Sequence, residues 1–327
     1  SPVDPTPEVV QMAIAQASNA PGYPSTAGSL EFREAVVAWF ERRRGVSGLT
    51  PDMVMPTIGS KELISFLPLF LGIGKGDVII QPTVAYTAYV VGAALVGAEI
   101  ISEDDPAKWP SNTKLVWLNS PGNPDGRVLS VAEMKAAVDR AREFGALVAS
   151  DECYAELGWG EWEGKTTPCI LDPAICGDST DGVLAVYSLS KQSNMAGYRA
   201  AFAAGSKDLV KGLVNLRMHS GLNTPALAQK AMVAALNDEE HVRVQKAMVA
   251  ALNDDSHVQV QKDIYRARRS ELLDAVISYG FKVADSSAGL YLWATLGEDC
   301  WQTVDRMADL GIVVVPVEFY TLGPSQY

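Results

Sequence analysis

The sequence predicts an α/β fold in which a mainly parallel sheet of the seven-stranded type is covered by helices on both faces. Three observations support this prediction. Short apolar runs alternate with segments of helical pattern. Ser130 followed by Glu133 forms a capping box, which predicts a helix running to about Phe144. Polar residues follow several of the apolar runs, at the strand ends where parallel sheets gather their ligands.

Four apolar runs are the clearest predicted strands: VII from Val78, KLVWL from Lys114, ALVAS from Ala146 and VLAVYS from Val183. Polar segments follow three of them, at Asn119–Asn123, Asp151–Tyr154 and Ser188–Lys191. Because the carboxyl ends of parallel strands meet at one edge of a sheet, we expect these three segments to lie together.

The last third of the chain has a different pattern. It is strongly helical from Pro225 to about Tyr279, and two strands are predicted after that, in GLYLWATL (289–296) and GIVVVPV (311–317). We therefore expect a large domain over residues 21–222. Residues 1–20 and 223–327 are expected to form a second, smaller α+β domain.

A tandem duplication interrupts the helical region. Residues 231–246 (AMVAALNDEEHVRVQK) are repeated almost unchanged at 247–262. One repeat would rotate the apolar stripe of an unbroken helix by roughly 160°, away from the core. The Asn-Asp pairs that begin at Asn237 and Asn253 offer points to stop and recap a helix. We expect a break there and a surface insertion rather than a functional unit.

Composition argues against several classes of function. The 327 residues are 48% hydrophobic and carry 39 acidic against 27 basic side chains, a formal net charge of -12. Nucleic acid and anionic membranes are therefore poor partners, and no apolar run is long enough to span a bilayer. Four scattered cysteines and three histidines do not form a metal-site pattern. The N-terminus lacks a signal-peptide pattern, so a cytoplasmic location is expected.

Lys191 is the main candidate for chemistry. A lone lysine after a buried strand is more often a solvated charge than a catalyst, but here Ser188, Ser190 and Arg199 surround it in the sequence. A desolvated lysine has a lowered pKa and forms a Schiff base with a carbonyl cofactor. Hydroxyl groups and a guanidinium are the partners that a phosphate prefers. The combination favours pyridoxal phosphate.

Other strand-end residues fit the same cofactor. Asp151 is a candidate to keep the ring nitrogen protonated, although the same residue also fits an ordinary helix N-cap. Tyr154 and Asn123 are candidates to hydrogen-bond the phenolate oxygen of the ring. Asn123 lies in NSPGNPDGRV, a segment whose composition is also typical of a turn.

A second phosphate contact is predicted at TIGSKELI, where Gly59, Ser60 and Lys61 open a helix that runs through Leu71. The free N–H groups and the dipole at a helix N-terminus favour an anion. Tyr86 is either a face on which the cofactor ring stacks or a core aromatic residue, and the sequence does not decide between the two.

Taken in order, these motifs resemble the fold-type I aminotransferases of classes I and II, over nearly the whole chain, and individual stretches resemble the actinobacterial N-succinyldiaminopimelate aminotransferases. S-x-S-K with an arginine eight residues later matches Ser188, Ser190, Lys191 and Arg199. Asn123, Pro124 and Gly126 match N-P-T-G, with Asp125 in place of threonine. Asp151 and Tyr154 match D-x-x-Y.

The resemblance implies a pyridoxal phosphate enzyme. Lys191 would hold the cofactor and then move a proton between the substrate α-carbon and C4′ of the cofactor. Tyr23 in GYPSTAGSLEFREAV would reach the phosphate of a neighbouring subunit, which implies a homodimer with shared active sites. The implied substrates are an amino acid, N-succinyl-LL-2,6-diaminopimelate or a related dicarboxylic one, and 2-oxoglutarate or glutamate, in lysine biosynthesis.

Two alternatives remain open from the sequence. A pyridoxal phosphate-dependent C–S β-lyase has the same cofactor site, because substrate contacts decide which bond breaks. A cofactor-binding but catalytically silent chain is the other. It is suggested by Val317 at a position that is usually glycine, and by the lack of both the family's carboxylate-binding arginine and its N-terminal segment.

Overall fold

A computed structural model describes residues 4–237 and 256–321. Within these residues one sheet contains seven strands: β1 Val54–Ile58, β2 Val78–Gln81, β3 Glu99–Ser102, β4 Thr113–Asn119, β5 Leu147–Asp151, β6 Val183–Ser188 and β7 Ala200–Gly205. Their order is β1-β7-β6-β5-β4-β2-β3. Strand β7 is antiparallel to both of its neighbours, and the other pairs are parallel. The predicted mainly parallel sheet is confirmed.

Eleven helices surround this sheet in the described residues: α1 Glu8–Gln16, α2 Leu30–Arg44, α3 Ser60–Phe70, α4 Ala88–Val96, α5 Val131–Phe144, α6 Pro173–Cys176, α7 Leu189–Gln192, α8 Lys207–His219, α9 Ala226–Asn237, α10 Ser256–Tyr279 and α11 Cys300–Asp309. None of these helices combines the length and apolar character that a bilayer crossing requires. Short 3₁₀ turns, among them Ala196–Tyr198 and Val317–Phe319, complete the connections.

The sheet separates two apolar cores. On one face α2, α5 and α9 contribute large buried side chains such as Trp39, Val138 and Met232. On the other face α3, α4 and α8 contribute residues such as Leu67 and Leu213. The central strands are buried along their whole length, which explains why the sequence shows them as continuous apolar runs.

Local signals set the helix ends near the site. The capping box of α5 forms, since the Ser130 side chain accepts from the Glu133 N–H and Glu133 accepts from the Ser130 N–H. The helix ends at Phe144, as predicted, before Gly145 in the left-handed region. Helix α3 begins at Ser60 after Gly59, also as predicted.

The prediction for the last strand is wrong. Residues 311–316 form no strand, and Val317 begins a 3₁₀ turn. A strand needs a neighbour to satisfy its backbone, and none of the described residues pairs with this segment. Within GLYLWATL only Trp293–Thr295 (β9) forms a strand, which pairs with Lys282–Ala284 (β8) in an antiparallel hairpin.

The duplication falls largely outside the described residues, so the expected break and surface insertion remain predictions. Helix α9 contains the start of the first copy, with Ala231, Met232 and Leu236 buried. Helix α10 contains the end of the second copy, with Val258 buried. The division into two domains also remains a prediction, and α9, which it assigns to the smaller domain, shares the core of α2.

Candidate active site

Three neighbouring strands bring the predicted polar segments together. Asn119 at the end of β4 pairs with Asp151 at the end of β5, and Asp151 pairs with Val186 of β6. The Asn119 amide donates to the Asp151 carbonyl at 3.0 Å and its Oδ1 accepts from the Asn123 N–H at 2.7 Å. One edge of the sheet therefore presents Asp151, the turn that carries Asn123, and the chain leading to Lys191.

Asp151 is almost completely buried, with 5% of its surface exposed. Burial raises the pKa of its carboxyl group, while hydrogen bonds from Cys153 and Tyr89 oppose the rise. The Cys153 N–H donates to Oδ1 and the Tyr89 hydroxyl to Oδ2, each at 3.2 Å. Tyr89 in turn stacks on Trp117, with ring centroids 4.9 Å apart. The carboxyl group is thus fixed in orientation, and it forms no ion pair with the residues that the structure describes.

Tyr89 and Cys153 were not predicted as site residues. Tyr89 lies in the first turn of α4, three positions after Tyr86, which precedes the helix, and this closeness to a predicted site residue was the available signal. Cys153 lies between Asp151 and Tyr154. No sequence pattern indicated that its backbone N–H would bind the carboxylate.

Lys191 lies in α7, directly after β6, and is half-buried. Burial is the main cause that lowers the pKa of its amine, and the positive charges of Arg199 and Lys61 add to it, while Cys153 opposes them. A lower pKa leaves more of the amine uncharged near neutral pH, which is the nucleophilic form. The Lys191 amine therefore lies in a partly buried environment with two nearby positive charges, and its role as the catalytic lysine stays a prediction.

Arg199, whose charge acts on this lysine, is in close contact with Gly59. The Gly59 N–H donates to the Arg199 carbonyl at 2.8 Å. A Cβ on Gly59 would lie 2.1 Å from Nη2 of Arg199, and Gly59 has a φ of +70°. The backbone conformation favours glycine at this position, and the missing Cβ leaves the space that the guanidinium occupies. Among the described residues, no side chain caps the N-terminus of α3, so its first N–H groups are available to a ligand.

Two serines stand at the start of α7. The Ser188 hydroxyl donates to the Ser190 hydroxyl at 2.8 Å, and the Ser190 N–H donates to Oγ of Ser188 at 3.2 Å. Both residues are at least nine-tenths buried. They belong to the chain segment that joins β6 to Lys191.

Aromatic residues border the cluster formed by Asp151, Ser188, Ser190, Lys191 and Arg199. Nζ of Lys61 lies 5.5 Å from the centre of the half-buried Tyr86 ring, which meets Tyr89 edge to face at 5.9 Å. The Tyr154 ring meets Tyr291 edge to face at 6.4 Å, and burial raises the pKa of the Tyr154 hydroxyl. Tyr86 and Tyr154 thus lie near the cluster, whereas Tyr23 is 99% exposed.

A cavity of about 420 Å³ lies beyond Asn119 and Gly122, and Lys191 does not line it. Its lining includes Asp104, Asp125 and Asp285. Burial, helped by the charges of Asp285 and Asp104, raises the pKa of Asp125 to about 6, and Arg127 opposes this rise. This cavity is therefore lined by several acidic residues and not by Lys191.

Comparison with known proteins decides the family. The profile of the family "Aminotransferase class I and II" matches residues 2–326. The chain belongs to this family. Members are dependent on pyridoxal 5′-phosphate, which is therefore the cofactor of this aminotransferase.

Individual relatives agree with this membership. The aminotransferase is 47% identical over its whole length to 4-dedimethylamino-4-oxo-anhydrotetracycline transaminase OxyQ of Streptomyces rimosus, of which it covers 85%. It is 31% identical, over 95% of its length, to LL-diaminopimelate aminotransferase of Aquifex aeolicus, of which it covers 80%. A crystal structure of an aminotransferase from Neisseria meningitidis superposes with a TM-score of 0.86 at 29% identity, over 100% of this chain and 83% of that one.

Proposed function

We propose that this aminotransferase exchanges an amino group between an amino acid and 2-oxoglutarate, with Lys191 as its covalent anchor and proton carrier. The observation that carries the proposal is the position of Lys191. Its half-buried amine has a lowered pKa, and the guanidinium of Arg199 lies within electrostatic range of it. Asp151 is buried at the end of the strand next to β6. Few other kinds of site combine, at one edge of a sheet, an amine of lowered pKa, a buried carboxyl group and a set of N–H, hydroxyl and guanidinium donors suited to a phosphate.

The residues present fit pyridoxal phosphate. The side-chain amide of Asn123 is buried, and its Oδ1 has no hydrogen-bond partner among the described residues. With the O and N of this amide exchanged, its N–H group would donate to the ring oxygen of the cofactor. The Arg199 guanidinium occupies the space beside Gly59, next to the free N–H groups of α3. Bound there, the cofactor supplies an electron-withdrawing ring that stabilises negative charge on the substrate α-carbon.

Each group in the cluster then has a task. Lys191 would bind the cofactor and move the proton between the substrate α-carbon and C4′ of the cofactor, two carbon atoms separated by one nitrogen. Asp151 would hold a proton on the ring nitrogen, because a cationic ring beside the carboxylate offsets the burial that raises its pKa. Tyr154 and Asn123 bind the ring oxygen, and Tyr86 covers a face of the ring. The phosphate is bound by the residues of the cradle: Gly59, Ser60, Lys61, Ser188, Ser190 and Arg199.

For the amino acid substrate we propose N-succinyl-LL-2,6-diaminopimelate or a related dicarboxylic amino acid, and hence a role in lysine biosynthesis in the cytoplasm. The relative named LL-diaminopimelate aminotransferase supports a substrate of this class. The name of the more similar relative specifies an oxo-anhydrotetracycline instead. Substrate identity therefore needs direct measurement.

We also propose a homodimer in which Tyr23 binds the cofactor phosphate of the partner subunit. Tyr23 is 99% exposed, so its ring is available to a second chain. Light scattering with and without pyridoxal phosphate, on the parent chain and on Tyr23→Phe, tests this. The proposal is wrong if a monomeric form of the chain binds the cofactor as tightly as the dimeric form does.

The experiment that tests the function is a spectral titration of the cofactor-loaded chain. Glutamate should remove the visible absorbance band of the bound cofactor and 2-oxoglutarate should restore it. A screen of amino donors, with glutamate formed from 2-oxoglutarate as the readout, then ranks the diaminopimelate derivatives against other amino acids. A band that no amino acid changes would contradict transamination, and release of pyruvate would indicate a β-lyase.

A further inference from the structure

The buried carboxylate of Glu152 holds the segment from Asp151 to Tyr154 from the opposite side of the sheet. Glu152 has 1% of its surface exposed. Its Oε1 accepts from the Ile170 N–H at 2.8 Å, and its Oε2 lies 3.4 Å from Nη2 of Arg44. Neighbouring residues at the end of a strand point to opposite faces. Asp151 accordingly contacts Tyr89 of α4, whereas Glu152 contacts the last residue of α2 on the other side of the sheet.

Arg44 links three parts of the chain. Its side chain is fully buried, and Nη2 donates to the carbonyl groups of Thr167 and Pro168 at 3.1 and 3.3 Å as well as facing Glu152. One guanidinium therefore joins the end of α2, the turn after β5 and the segment that leads to Ile170. Nothing in the proposed function uses either charge, although Glu152 is the immediate neighbour of Asp151.

We propose that the Arg44–Glu152 pair is a positioning device that holds Asp151 and Tyr154 in the orientation the cofactor requires. A buried ion pair is rarely needed for stability, because apolar residues of similar volume often replace it without loss. It does fix geometry, since each charge must keep its partner. The inference rests on the proposed function, in which Asp151 and Tyr154 face the cofactor.

The test compares two double variants. Arg44→Met with Glu152→Leu removes both charges of the pair and keeps the volume. Arg43→Met with Glu156→Met is the matched control, because this neighbouring ion pair also joins α2 to the chain just after Tyr154. Glu152→Gln is a third variant that keeps an acceptor for the Ile170 N–H and removes only the charge.

The first readout is hydrogen exchange of the backbone in residues 151–154, which excludes the control position Glu156, in the chain without cofactor. Exchange should become faster in the Arg44/Glu152 variant than in the control. The second readout is the dissociation constant of pyridoxal phosphate, together with the pH at which its visible band titrates. Affinity should fall by as much as about 10²-fold, because small misplacements of site groups have effects of this size. The titration midpoint should shift in that variant and not in the control.

Parent-like exchange and cofactor affinity in the Arg44/Glu152 variant would overturn the inference, even if its melting temperature fell. If that variant does not fold, Glu152→Gln decides by the same readouts, with a loss of about tenfold in affinity expected. Failure of the parent chain to bind pyridoxal phosphate would count against the proposed function. The hydrogen-exchange result would still decide the positioning role.

Discussion

The turn after β5 and the segment after α11 are both irregular, yet one is buried and the other is exposed. Asp151, the last residue of β5, and Glu152, the first residue after it, have 5% and 1% of their surface exposed, although both are acidic. Val313 and Val315 are 95% and 56% exposed, although both are apolar. The turn extends a strand that is paired on both sides, whereas no described residue pairs with the segment around Val313. Burial here follows strand pairing rather than the polarity of the side chains.

Lys191→Ala should produce the largest effect, because it removes the group at the centre of the buried cluster. We expect transamination to fall by at least about 10⁴-fold, the upper range for loss of a general acid or base. The visible band of the bound cofactor should also disappear. Steady-state rates and absorbance spectra measure both effects. Turnover close to that of the parent would show that the cluster is not the catalytic site.

Gly59→Ala tests whether the cradle depends on close packing. The new methyl group would collide with the Arg199 guanidinium, at a backbone φ that disfavours alanine. We expect pyridoxal phosphate affinity to fall by about 10²- to 10³-fold, from backbone strain and lost charge-assisted hydrogen bonds. Fluorescence titration of the cofactor measures this change.

Gly72→Ala is the control for that substitution. Gly72 has a φ of +69°, nearly that of Gly59, but nothing lies within 4 Å of the position of its Cβ. It should destabilise the fold through strain alone and leave cofactor affinity close to the parent value. An equal loss of affinity in both variants would mean that strain, and not displacement of Arg199, weakens binding.

The sequence predicted the sheet and the strand ends because their signals are local or periodic. The continuous apolar runs of β5 and β6 and the capping box at Ser130 each require only a short window of sequence. Contacts between distant segments left no such signal. The hydroxyl of Tyr89 reaches Asp151 across 62 positions, and Arg44 reaches Glu152 across 108. The strand predicted at 311–317 did not form, since an apolar run does not encode its partner.

Asp125→Asn extends the comparison to a carboxyl group of intermediate burial. The pKa of Asp125 rises from 3.8 to about 6 on folding. A raised carboxyl pKa contributes stability that is present below pH 3.8 and is lost as the pH rises through 6. Ionised Asp125 therefore destabilises the fold at neutral pH. Its replacement should stabilise the chain by about 2 kcal/mol at pH 7.5, after allowance for partial exposure, and have little effect near pH 4.

Chemical denaturation at the two pH values measures this difference. Asp309→Asn is a suitable control, because Asp309 is exposed at the end of α11. It should change stability by less than about 0.5 kcal/mol at either pH. A gain for Asp125→Asn that is the same at both pH values would contradict the electrostatic explanation.

Val313→Ala should have the smallest effect of these substitutions. Val148→Ala makes the same change at a buried position and provides the comparison. Val148 is fully buried in β5, whereas Val313 is 95% exposed. Loss of two buried methyl groups should destabilise the fold by about 2 kcal/mol at Val148, through lost burial and a residual cavity. The same change at Val313 should cost less than about 0.5 kcal/mol. Urea unfolding of the two variants measures both values. An equal loss at Val313 would mean that this segment packs against other parts of the protein, and that its lack of a partner strand does not leave it exposed.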